Sequence, residues 1–246
     1  MEIAKITYTE ESFRTLPASE RRLVFQIANL INELRFFDHH LFVLVDVMKN
    51  RGPLSDPEIG LAISQNCMLF CLLAGKLKEA WQVVQKGYFA TSLSKQFHSK
   101  LPMEGSDALK TLKDYFSRPN LVETLRNNYG FHHDLDKIGD IIDHFPLDWK
   151  HVAYLPDVLN NGFFEFGQVC LMNAILKSTG ETDPRNALLK LWRELHVGLL
   201  NDFVVFFHSV LQASLAPLPA TEETVEVANC PNLRDAKPLF LVLRTS

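Results

Sequence analysis

Leu23, Ile27, Leu30, Ile31 and Leu34 recur with the 3.6-residue period of an α-helix, and Leu41, Leu44, Val45 and Met48 carry the same face onward. With Ser19 able to cap the start, the pattern predicts one long helix, or two broken near Phe37–His40. Arg51-Gly52-Pro53 stops it. Ser55-Asp56-Pro57-Glu58 has the form of a capping box with proline in the first turn. The helix that follows carries Ile59, Ile63, Cys67, Phe70, Cys71, Ala74, Leu77, Trp81 and Val84 on one face. Residues 92–106 are polar and irregular. Helical patterning resumes near Leu109, breaks at Ser117-Arg118-Pro119-Asn120 and restarts over Leu121–Tyr129; Leu135, Ile138, Ile142 and Phe145 then keep helical spacing to Pro146. Another helix is predicted over Pro156–Leu176 despite Gly162 and Gly167. Thr182-Asp183-Pro184 caps a last one, with the stripe Leu188, Trp192, Leu195, Leu199, Phe203, Phe206 and Val210, ended by Pro217 and Pro219. Beyond it, Thr224–Ala228 and Leu239–Leu243 read as two strands around a Pro-Asn-Leu-Arg-Asp turn. The fold expected is an all-α helical bundle over residues 1–216, with a C-terminal extension over 217–246 holding a short β-hairpin.

Composition adds bounds. Of 246 residues, 47% are hydrophobic, 22% are charged and 18 are Phe, a globular chain that buries roughly three quarters of its unfolded surface. A formal net charge of −4 excludes a basic coat that grips nucleic acid along its whole length; any such contact is local, at a few arginines. The stretch from Met1 to Glu11 lacks an apolar core and carries acids early, so no signal peptide is expected. No unbroken apolar run approaches the roughly 18 residues of a spanning helix; Met68–Ala74 and Phe203–Phe207 are short. The expected location is the cytoplasm, with no membrane partner. Cys67 and Cys71 lie four apart on one apolar face, and neither they nor Cys170 and Cys230 have zinc-finger spacing. They read as structural thiols, with no metal and no cofactor expected.

The concentrated chemistry is Arg126-Asn127-Asn128-Tyr129-Gly130-Phe131-His132-His133. Arg126 is permanently cationic, and its planar fork suits a phosphate. His132 and His133 exchange protons near neutral pH, Asn127 offers a donor and an acceptor, and Tyr129 and Phe131 can stack on a base. Transesterification of RNA needs this set: a base for the ribose 2′-hydroxyl, a cation for the charge on phosphorus, and an acid for the leaving 5′-oxygen. On a straight helix Arg126 and His133 share a side and His132 lies about 120° away. Gly130 can kink or unwind that helix, so the choice between the histidines stays open.

Arg126-Asn127-(x)4-His132 resembles the signature of the HEPN superfamily, and Arg-Asn-x-x-x-Phe-His-x-Asp, found in abortive-infection proteins of that kind, fits Arg126, Asn127, Phe131, His132 and Asp134. The order of long helices, a motif at a helix end and further helices agrees over residues 20–215. The resemblance implies a HEPN-like bundle with metal-independent endoribonuclease activity, in which two copies of the motif face each other across a homodimer. Arg126 would bind the scissile phosphate, His132 would act as general acid or base, and Asn127, Tyr129 and His133 would contact substrate. It also implies a toxin or anti-phage role with an antitoxin protein as partner. Family members that have lost cleavage bind nucleotide, RNA or protein, and this chain can be one of them.

Plainer readings stand beside these. Arg126 can neutralise Glu123 or Asp134, and His132 can be an interior histidine. Asp38-His39-His40 reads as a solvated face or a buried turn rather than a metal site, because adjacent histidines point about 100° apart; a supporting place near Arg126 is the alternative. Glu79 reads as surface.

Overall fold

The computed structural model describes residues 2–50, 56–97, 99–127, 150–154 and 163–227, with Gly139, Ile142, Asp143, Phe145, Leu147 and Asp148. Helices dominate, in the order β1 (Glu2–Tyr8), α1 (Glu10–Arg14), α2 (Ala18–Asn50), α3 (Asp56–Val83), a π-helical segment Val84–Phe89, α4 (Leu93–Phe97), α5 (Met103–Phe116), α6 (Leu121–Leu125), β2 (Ala153–Tyr154), β3 (Phe163–Phe164), α7 (Glu165–Thr179), α8 (Pro184–Leu191), a second π-helical segment Trp192–Leu200, α9 (Asn201–Leu215) and β4 (Ala220–Glu226). The all-α expectation with a small β element holds.

α2 is one helix of 33 residues with no break at Phe37–His40. α5 begins at Met103, six residues before the Leu109 at which periodicity becomes legible. Its first turns bury Gly105 and Ala108, side chains too small to mark a stripe. The helix predicted over Pro156–Leu176 is Glu165–Thr179, preceded by the short strand β3; residues 155–162 lie outside the described residues. It ends where Gly180, at φ 70°, takes the left-handed conformation and returns its N–H to the Leu176 carbonyl. Asp183 caps α8 by accepting from the N–H groups of Arg185 and Asn186, as the Asp-Pro pair predicted. Ser55 of the capping box lies outside the described residues.

The C-terminal strand is present, at Ala220–Glu226, but its partner is β1. The two run antiparallel from the pair Glu2 and Glu226 to the pair Tyr8 and Ala220, with Lys5 and Glu223 joined across the strands. Residues 239–243 lie outside the described residues. β2 and β3 form a second two-stranded sheet, where Tyr154 stacks on Phe163 at 6.1 Å.

Contacts divide the chain into two units. Among the described residues the first comprises 2–36, 79–118 without 98, and 199–227, and the second 37–50, 56–78, 119–127, 150–154 and 163–198 with the six single residues from Gly139 to Asp148. In the first, Leu23, Ile27 and Leu34 of α2, Leu112 of α5, and Phe203, Phe206 and Phe207 of α9 are almost fully buried. Trp81 stacks on Phe116 at 4.8 Å, and Phe206 meets Tyr88 edge to face at 5.3 Å. In the second, α3 contributes Phe70, Leu73, Ala74 and Leu77, α6 Val122 and Leu125, α7 Ile175, and α8 Ala187 and Leu191. Cys67 and Cys71 are buried and unpaired; burial pushes both thiols up to about 12, so they stay protonated and inert.

Two 32-residue helical stretches, Glu58–Phe89 and Pro184–Leu215, are long and apolar enough to cross a membrane by length and composition. Neither stretch is an unbroken apolar run. Ser64, Gln65, Asn66, Asn201 and Asp202 interrupt the runs without lowering the average much. The share of the most apolar window buried within the protein is 56% in one and 44% in the other, which a core helix also shows.

Candidate functional site

α6 holds the first half of the motif. Asn120, itself buried, sits at its N-cap and accepts from the Glu123 N–H at 2.9 Å. Leu121, Val122 and Leu125 are buried, and the helix passes into a π-helical turn at Arg126 and Asn127. With the apolar face turned inward, Arg126 emerges half-buried and Asn127 exposed. The guanidinium Nη1 donates to Asn127 Oδ1 at 3.1 Å. Glu123 pairs with Lys78 of α3 instead of with Arg126, and Arg126 forms no ion pair among the described residues. Asp134, its other sequence candidate, lies outside them, as do Tyr129, Phe131, His132 and His133. The structure thus brings together Arg126 and Asn127 and leaves the histidine half of the constellation undescribed.

Removing the cap tests how firmly this helix is held. Asn120→Ala is expected to lower stability by about 0.5–2 kcal/mol in urea unfolding; no change would mean that packing of Val122 and Leu125 holds α6 alone.

The second polar cluster has a different partner from the one anticipated. Asp38 Oδ1 lies 2.7 Å from Nε2 of His196, in the second π-helical segment. The approach is an ion-pair distance off the line of the ring N–H, and His196 Nδ1 has no hydrogen-bond partner. The imidazole stacks on Trp192 with centroids 4.0 Å apart. His39 is exposed, and so is Glu79. Burial lowers the His196 pKa from its ordinary 6.5 by more than the Asp38 carboxylate raises it. Sequence reading missed His196, although a histidine between Leu195 and Leu199 on an apolar stripe was the available signal. In the first unit His208 Nε2 lies 3.2 Å from Arg35 Nη2, and burial and then that guanidinium lower its pKa too.

These two rings have a measurable consequence. A folded-state pKa below 6.5 means the unfolded chain binds more protons, so the contribution is complete above pH 6.5 and is lost as pH falls through the folded pKa. The Tm is expected to drop as pH falls below 6.5, and His196→Gln to drop less steeply, His208 keeping part of the slope. Parallel slopes would show that His196 titrates alike in both states.

Among the described residues no group of three His, Cys, Asp or Glu side chains is gathered to hold a metal. Compared with protein families, curated proteins and solved structures, the chain matches none.

Proposed function

We propose that the chain is a HEPN-like, metal-independent endoribonuclease, acting in the cytoplasm as a homodimer and serving as a toxin or anti-phage effector held in check by an antitoxin protein. The observation that carries the reading is the state of Arg126: a half-exposed guanidinium, bonded among the described residues to Asn127 alone, whose nearest acidic neighbour in the helix is engaged by Lys78. A cation that Glu123 does not neutralise is ready for a phosphate.

The chemistry follows from those residues. The ribose 2′-oxygen attacks the adjacent phosphorus and gives its proton to one His132 imidazole. Arg126 stabilises the added negative charge on the phosphoryl oxygens, with Asn127 fixing the fork. The bond from phosphorus to the 5′-oxygen breaks, and that oxygen takes a proton from the imidazolium of the second copy's His132, leaving a 2′,3′-cyclic phosphate and a 5′-hydroxyl. Tyr129 and His133 contact the flanking nucleotide. Purified protein is expected to cut RNA in EDTA and leave cyclic phosphate ends. Light scattering that finds a strict monomer removes the composite site.

A second reading has one observation in its favour. The net charge of −4 repels long RNA, and the same residues can cradle a nucleotide or a partner without turnover. Binding weakened by Arg126→Ala, with no cleavage products from the wild-type protein, selects it.

A further inference from the structure

We draw no further inference here: the strongest candidate, the two-stranded sheet of β1 and β4 with Ile3 and Ile6 exposed on its opposite faces, carries none because nothing in the structure shows what covers it.

Discussion

RNA cleavage by Arg126→Ala is expected to fall by about 10²–10³-fold in EDTA, the usual cost of removing one group that stabilises transition-state charge. Its stability is expected to stay within about 0.5 kcal/mol of the wild type. The two outcomes are tied to one observation: the side chain is half-exposed and makes its described hydrogen bond only to the neighbouring Asn127, so little folding free energy depends on it. Arg126→Lys keeps the charge and loses the fork, and is expected to recover only part of the activity. His132→Ala is expected to lose about 10²–10⁴-fold, as a proton-transfer group does. Wild-type-like cutting by both alanine variants ends the nuclease reading. A Tm lowered by many degrees in Arg126→Ala would instead give Arg126 a structural role.

The largest effect expected on stability is at Gly105, in the first turns of α5. Replacing glycine by alanine inside a helix ordinarily stabilises by up to about 1 kcal/mol. Here a Cβ would come within 2.5 Å of Ser209 Cβ and would overlap its Oγ. Rotating the Ser209 side chain cannot clear its own Cβ, and its hydroxyl is bonded to the Val205 carbonyl at 2.8 Å. The backbones of α5 and α9 must separate where Gly105 faces Ser209. Gly105→Ala is expected to destabilise by about 1–3 kcal/mol despite its better propensity, and Gly105→Val by more. Adding Ser209→Gly to Gly105→Ala is expected to return most of the loss, with a coupling above about 1 kcal/mol in a double-mutant cycle from urea unfolding. A Gly105→Ala protein more stable than the wild type would place the two helices farther apart.

Much of the architecture was legible because the helices are amphipathic. The stripe from Leu23 to Leu41 and the one from Cys67 to Val84 are buried along their length, since only a core can receive faces that wide. Asp183-Pro184 announced its helix because cap chemistry is local. What failed was whatever lacked a local signal. β1 was not foreseen: Glu2–Tyr8 is exposed at nearly every position, and its strand state comes from hydrogen bonding to β4, 218 residues away between Lys5 and Glu223. α5 began early because Gly105 and Ala108 bury almost no area to mark a face.

The candidate site divides in the same way. Residue types and spacing were enough to single out Arg126 and Asn127, because a guanidinium beside an amide has chemistry wherever it sits. Whether Arg126 was already neutralised by Glu123 was not a local question. The answer required Lys78, 45 positions from Glu123, to take that carboxylate. Asp38 likewise read as part of a solvated face or a buried turn, and its partner His196 came only with folding. The sequence by itself determined which segments are helical and which faces they bury, because periodicity and capping act over a few residues. Only the tertiary structure decided which charged groups meet, as Lys78 meets Glu123 and Asp38 meets His196. Those outcomes depend on distances between residues that the chain order keeps far apart.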